Sequence, residues 1–508
     1  MKITKEAPQK RSAPQTEKIL TLMKKIFNRY LLLSLFITLT SPLSAKDTQT
    51  DSAKEPANSQ PASEKTLSQT NNDLTAPHSQ ISEKTLDNGL KILVKKDNRA
   101  PVVVLQLWYR VGTSYEHEGI TGLSHALEHM MFKGTKNHAS GEFEKILSVN
   151  GARNNAFTSQ DYTAYYEVIA KDRLEVAMEL EADRMRNLIL DEKEFKKEIE
   201  VVKEERRWRT DDRPTSLTRE QFNAVAFLNS PYRAPVIGWM VDLDTMKVGD
   251  LRKWYEKWYA PNNATLVVVG DVEPDAVFAL VEKYFARIKT SDIPAPKLRT
   301  EVEQKGPRSI VVKAPAKLPY LRMGYKTPGL INAKEKWEPY ALEVLANILD
   351  GGSSARFAKK LVRDKEIAAS AGASYDGFGR LPNLFVLSGT PTKSKTIEDL
   401  KKAMLEEIEL LKTEKVSEEE LKRVKAQVVA SEVYQRDSIE NIASVLGSLE
   451  SVGLGYQLID EYVPEILKVT PEQIQKVAQK YLIEDHLTVA RLQPLPLDKK
   501  AATSEEGE

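Results

Sequence analysis

The pentapeptide His125-Ala126-Leu127-Glu128-His129 combines two imidazoles and a carboxylate at a spacing suited to metal chemistry. Histidines four residues apart lie on one face of a helix, one turn from each other, so both rings reach a single ion. Glu128, one residue before the second histidine, is close enough to act on a water held by the metal without being a ligand. This H-x-x-E-H order reverses the commoner H-E-x-x-H and works by the same mechanics. The chain has six histidines in all, so a surface helix carrying this pair by chance is the weaker reading. A catalytic zinc takes three protein ligands and leaves one position for water. The 508 residues include no cysteine, which excludes disulfides, thiolate metal sites and cysteine nucleophiles and leaves a carboxylate as the obvious third ligand. The run Glu198-Ile199-Glu200-Val201-Val202-Lys203-Glu204-Glu205 offers several, with Glu198 and Glu205 on one helical face two turns apart. Most carboxylates of so charged a helix are simply solvated, and spacing alone does not choose among them.

The wider surroundings of the motif resemble one family. His125-Ala126-Leu127-Glu128-His129-Met130-Met131-Phe132-Lys133-Gly134-Thr135, and Asn155-Ala156-Phe157-Thr158-Ser159 followed by Thr163 and Tyr165, are similar to the pitrilysin, insulin-degrading enzyme and mitochondrial processing peptidase family. The likeness runs over roughly residues 81 to 495. It implies a zinc endopeptidase for peptides or unfolded segments, with one Zn2+ per chain held by His125, His129 and Glu205. Glu128 is then the general base, and Glu198 a supporting carboxylate that hydrogen-bonds a histidine ring and fixes its tautomer. Asn155, Ala156 and Phe157 fall on the family's exposed edge strand, which takes up an extended peptide by strand addition. Without the neighbouring motif they read as an ordinary strand with turn residues at Asn154 and Asn155. Complete members also carry an arginine and a tyrosine that bind the substrate main chain. Arg363 fits the arginine, whereas Ala369 stands at the tyrosine's place and Tyr375 is the nearest substitute. Some bacterial members divide the work between a zinc-bearing subunit and a homologous partner with the arginine–tyrosine pair. The missing tyrosine implies such a heterodimer, with homodimer and monomer as the alternatives. A non-catalytic structural subunit of the same fold and a processing peptidase for one precursor are the rival functions.

The elements that must position these residues follow from periodicity. Leu86-Asp87-Asn88-Gly89-Leu90 marks a hairpin, Val102 to Val111 a buried strand, and Thr121 to Phe132 the histidine helix. Tyr162 to Ile169 reads as a strand, and Lys171 to Leu190 and Asp191 to Arg209 as helices. A polar, proline-punctuated linker at 291–306 separates a zinc-binding domain, 81–290, from a second unit, 307–495, that repeats its outline without the histidine motif. Met246-Lys247-Val248, Tyr259 and Thr265-Leu266-Val267-Val268 echo Leu467-Lys468-Val469, Tyr481 and Leu487-Thr488-Val489-Ala490. The expected class is α+β: two homologous domains, each a mixed or antiparallel sheet flanked by helices, enclosing a peptide chamber. At the start, Lys24, Lys25 and Arg29 precede an apolar run from Tyr30 to Ile37 and small residues at Ser44 and Ala45. Residues 1–45 therefore read as an export signal, or as a membrane anchor if uncleaved. Residues 46–80 read as a polar tether and 496–508 as a tail. An exported, cysteine-free chain suits a periplasm. The formal net charge of +1, from 74 basic and 73 acidic residues, carries no nucleic-acid footprint.

Overall fold

The computed structural model describes residues 80–497, apart from Pro294, Pro296 and Leu298. The signal or anchor segment, nearly all of the tether and the tail beyond residue 497 lie outside the described residues. Among those described, no helix is long and apolar enough to cross a membrane.

The first domain contains β1 (Ile81–Thr85), β2 (Lys91–Lys96), β3 (Val102–Tyr109), α1 (Leu123–Met130), α2 (Glu142–Val149), β4 (Arg153–Thr158) and β5 (Thr163–Ala170). It continues through α3 (Leu174–Asn187), α4 (Glu192–Arg206), α5 (Pro214–Ala226), α6 (Met240–Thr245), α7 (Val248–Trp258), β6 (Ala264–Gly270) and α8 (Pro274–Phe285). Its sheet has the order β1-β2-β6-β3-β5-β4. Only β2 and β6 run parallel. The β6 run Ala264-Thr265-Leu266-Val267-Val268-Val269-Gly270 is buried at every residue, which explains why it is apolar without alternation.

The second domain comprises β7 (Arg308–Pro315), β8 (Tyr320–Thr327), α9 (Trp337–Asp350), a wide π turn (Phe357–Asp364), β9 (Ala368–Tyr375) and β10 (Asn383–Pro391). Then follow α10 (Ile397–Thr413), α11 (Glu418–Gln435), α12 (Ile439–Val452), α13 (Leu458–Lys468), α14 (Pro471–Tyr481) and β11 (Leu487–Leu495). Its order, β7-β11-β8-β10-β9 with β7 parallel to β11, reproduces the first sheet without β1. Register matches as well: Thr265 faces Trp108 on β3, and its counterpart Thr488 faces Gly324 on β8. The expected α+β class with two homologous, helix-flanked mixed sheets is the one observed.

Each domain lends one helix to the other's sheet. α5 of the first domain packs on β7, β11 and β8, placing Phe222 and Ala226 against Leu384 and Ala490. α12 of the second packs on β3 and β6, with Ala443 and Leu446 in one core with Trp108 and Val267. A helix must approach a large side chain on the opposing strand, and a glycine makes the space. A Cβ on Gly447 of α12 would fall 2.1 Å from the Trp108 indole, and one on Gly324 would fall 2.8 Å from the Phe222 ring. The large and small partners have traded sides between the two contacts.

Two helices differ from the sequence expectation. The histidine helix begins at Leu123 rather than Thr121, because Gly122 has φ +85° and its backbone meets Gly238. A Cβ on Gly122 would lie 2.6 Å from the Ile237 carbonyl oxygen. This left-handed residue ends the loop and starts the helix. The Asp191–Arg209 helix is regular only over Glu192–Arg206, capped by Asp191 on the amides of Lys193 and Glu194, and widens into a π turn at Arg207–Asp211.

Candidate metal centre

α1 carries His125, Glu128 and His129, and its start is fixed from outside the helix. Gly122 has no side chain to cap with, so the buried Glu116 does the work. Its Oε1 accepts from Ser124 N at 2.6 Å and its Oε2 from Gly122 N at 2.8 Å. A carboxylate at a helix N-terminus satisfies orphan amides and meets the positive end of the dipole. Burial nevertheless pushes the Glu116 carboxyl up to about 7, against those two hydrogen bonds.

α4 lies across α1 and brings Glu205 to both rings. Glu205 Oε2 lies 3.7 Å from His125 Nε2 and 3.3 Å from His129 Nε2. One donor atom from each of His125, His129 and Glu205 falls within 4.8 Å of the others. The second oxygen of Glu205 is held by Arg209, one turn on, at 2.9 Å. Next to Glu205, buried Arg206 grips Glu220 at 2.7 and 2.9 Å and the Gly238 carbonyl at 2.8 Å, which locks the end of α4 against α5. Glu198 meets His129 Nδ1 at 2.9 Å through one oxygen and Lys133 Nζ at 2.6 Å through the other. Nδ1 of His125 is buried without a hydrogen-bond partner among the described residues.

The charges of this cluster are interdependent. Burial opposes ionisation of Glu205, yet the His129 hydrogen bond and the neighbouring His125, His129 and Arg209 charges draw its carboxyl down to about 2. Burial also opposes a charged His129, but its bonds to Glu198 and Glu205 hold it up at about 10. Burial, reinforced by the neighbouring His129, drives His125 down to about 4. A two-nitrogen, one-oxygen donor set fits zinc, and it does not resemble the all-oxygen sites of calcium or magnesium.

Glu128 projects beside this cluster rather than into it. Thr158 Oγ1 donates to its Oε2 at 2.5 Å, and burial raises its carboxyl above the ordinary range. Thr158 ends β4, which among the described residues pairs only with β5 and so forms the edge of the first sheet. Asn155, Ala156 and Phe157 lie on that edge. Asn155 Oδ1 accepts from Ala156 N at 2.9 Å, and the Phe157 ring packs edge-on against Trp108 at 5.3 Å.

Among the described residues, the second domain brings no donor to the cluster. Its α9 occupies the topological place of α1, and Tyr340-Ala341-Leu342-Glu343-Val344 shares Ala-Leu-Glu with His125-Ala126-Leu127-Glu128-His129 but has tyrosine and valine where the histidines stand. Tyr340 and Val344 are buried apolar core residues, while Glu343 survives, hydrogen-bonded by Asn347 at 3.3 Å. Arg363 sits exposed on the π turn Phe357–Asp364, and Ala369 lies exposed on edge strand β9. Tyr375 donates its hydroxyl to the Pro328 carbonyl at 2.6 Å and stacks on Phe385. Glu116 has no local sequence signal, whereas Arg209 stands at i+4 from Glu205, a spacing that sequence alone offers.

The profile of the insulinase family (peptidase family M16) matches residues 91–238, and that of the peptidase M16 inactive domain matches residues 245–428. The chain is 33% identical over 419 residues to the zinc protease PqqE of Helicobacter pylori, covering 81% of this chain and 92% of that protein. A solved protease from Helicobacter pylori matches with a TM-score of 0.77 at 32% identity, over 82% of this chain and 100% of that one. The first half of the periplasmic protease PqqL from Escherichia coli matches with a TM-score of 0.69 over 85% of this chain and 98% of that one. Whole PqqL is covered over 50% of its length. At 18% identity the PqqL likeness concerns the fold alone.

Proposed function

The chain belongs to peptidase family M16, and from that premise we propose that it is a zinc-dependent endopeptidase acting on extended peptides or unfolded segments. The observation that carries this reading is the convergence of His125, His129 and Glu205 on one point with Glu128 beside them. A zinc ion bound there supplies a Lewis acid for the scissile carbonyl and lowers the pKa of its water to about 7. The chain's own residues do the rest. Glu128 Oε2 is tied to Thr158, and its Oε1 would take the proton of the reacting water and return it to the leaving amine. Glu198 holds the His129 ring through Nδ1, leaving Nε2 for the metal. The open edge of β4 aligns an extended substrate through main-chain hydrogen bonds, with Asn155, Ala156 and Phe157 as the contact residues.

The second domain supports a partnership. Arg363 is present, but Ala369 offers no hydroxyl and that of Tyr375 is engaged at Pro328. We assign the missing grip to a homologous subunit carrying the arginine–tyrosine pair, with the chamber closed between the two chains. The PqqL fold, in which a unit of this size fills half of a longer chain, supports that arrangement. The periplasm remains our assignment of compartment, on the strength of the N-terminal segment.

Metal content and peptide cleavage test the reading together. His129→Ala should lose zinc, while Glu128→Gln should keep it and lose hydrolysis of a fluorogenic peptide. Zinc retained by the first variant, or hydrolysis retained by the second, would overturn the assignment. Equal activity of the chain alone and of the chain mixed with its partner would overturn the heterodimer.

A further inference from the structure

Two equivalent hairpin loops, one from each domain, meet next to α1. One is the β4–β5 turn at 159–162, the other the β9–β10 loop at 376–382. Arg380 of the second domain reaches across. Its amide donates to Asp161 Oδ2 at 3.1 Å, its Nε to Asp161 Oδ1 at 3.3 Å and a terminal nitrogen to Ser114 Oγ at 2.8 Å. Its guanidinium also lies over the Tyr115 ring, 4.4 Å from the centroid. Asp161 is only 4% exposed and collects two further donors, the hydroxyls of Ser114 and Tyr232. So many hydrogen bonds converging on one buried carboxylate form a network whose members depend on one another.

The network leads into the catalytic helix by two routes. Ser114 and Tyr115 belong to the turn that ends at Glu116, whose carboxylate holds the amides of Gly122 and Ser124. On the other route, Ser159 Oγ accepts from the amides of Asp161 and Tyr162, and its carbonyl accepts from Thr113 N. Ser159 directly follows Thr158, whose hydroxyl holds Glu128. We propose that Arg380 is a positioning residue for the metal-binding helix. By closing Asp161 and Ser114 it fixes both the Glu116 cap and the Thr158 hydroxyl, so the domain without the histidine motif sets the aim of Glu128. Not every ion pair between the domains has such a route. Arg99 and Asp437, 3.5 Å apart and exposed, touch neither α1 nor the β4–β5 turn.

The kinetic consequence rests on the peptidase reading, whereas the structural consequence does not. In the zinc-loaded full chain, Arg380→Ala should speed hydrogen exchange over residues 113–130 and 153–163 and leave β7 and β11 unchanged. Arg99→Ala should leave all of these at wild-type rates. With a fluorogenic peptide and the partner subunit present, Arg380→Ala should lower kcat about tenfold and move KM by less than about twofold, since small misalignments at a reacting centre are felt in turnover. Arg380→Lys should recover part of kcat. Unchanged exchange over 113–130, or exchange raised equally in β7 and β11, would overturn the proposal. Should the alanine variant not fold, Asp161→Asn is read in the same way, and wild-type exchange in it also overturns the proposal. A wild type that cleaves no peptide while Arg380→Ala still loosens 113–130 sinks the peptidase reading and leaves the positioning role standing.

Discussion

Glu198 touches no candidate ligand except through His129, which makes it a sharp test of how the site is built. Its Oε1 faces His129 Nδ1 at 2.9 Å and its Oε2 faces Lys133 at 2.6 Å. Outer partners of this kind are worth about 10- to 100-fold in metal affinity, or about 1.4 to 2.7 kcal/mol. The Lys133 side chain keeps 27% of its exposure, so its ammonium hydrates once Glu198 is gone and little further penalty accrues there. The expected loss of zinc affinity for Glu198→Ala therefore lies within that range. Glu198→Gln keeps an acceptor for the ring N–H but not the charge, and should lose less. Proton competition sets the pH dependence. Glu198 also helps to hold His129 protonated up to about 10, and zinc must displace that proton. Removing Glu198 weakens proton and metal binding together. The deficit is therefore smallest at low pH, where the two losses offset each other, and it grows as pH rises from the variant's His129 pKa towards the wild-type value. Competition with a chromophoric chelator at pH 6.5 and 8.5 measures it. Equal affinities of wild type and Glu198→Ala at both values would refute the reasoning, as would a glutamine variant as weak as the alanine one.

Two further outcomes follow from the packing and the buried charges. Gly447→Ala drives a methyl into the Trp108 indole, where its Cβ would sit 2.1 Å away, and overpacking of this kind costs about 1–3 kcal/mol; a denaturant midpoint equal to wild type would contradict the helix exchange. Glu116 has its folded-state pKa raised to about 7 from 4.5, so the folded chain binds its proton more tightly than the unfolded chain. Its contribution is fully favourable below the unfolded value and is lost as pH rises through the folded one, by roughly 3 kcal/mol at most. In Glu116→Gln the stability difference between pH 4.5 and 8 should shrink accordingly, and an unchanged difference in a urea titration at both values would count against the raised pKa.

Much of the site was legible because helical spacing is local information. His125, Glu128 and His129 share one turn, and the face common to Glu198 and Glu205 follows from the same 3.6-residue period. What periodicity could not supply was which carboxylate reaches the histidines, because that depends on how α4 crosses α1. Resemblance supplied Glu205, and the structure brings its Oε2 within 3.7 Å of both rings. Glu116 was invisible for the opposite reason: it caps α1 from a separate turn, and nothing in Glu116-His117-Glu118 distinguishes it from a solvated acidic run. The helix start also misled, because the left-handed Gly122 is dictated by its contact with the distant Gly238.

The repeat offers the stronger lesson about long-range information. The echo of Thr265-Leu266-Val267-Val268 in Leu487-Thr488-Val489-Ala490 was weak in letters, yet the sheets place Thr265 and Thr488 at equivalent registers. That alignment exposes what the letters concealed. Trp108 on β3 meets Gly447 of the other domain's helix, while Gly324 in the matching position meets Phe222. Each contact needs one large and one small residue, and which side carries the bulk is free so long as the sum fits. The two interfaces therefore satisfy one volume constraint in opposite ways. The same freedom accounts for α9. Once one domain holds the metal, Tyr340 and Val344 are constrained only by the core they fill, whereas the hairpin loop bearing Arg380 is constrained by the Asp161 carboxylate it closes in the other domain.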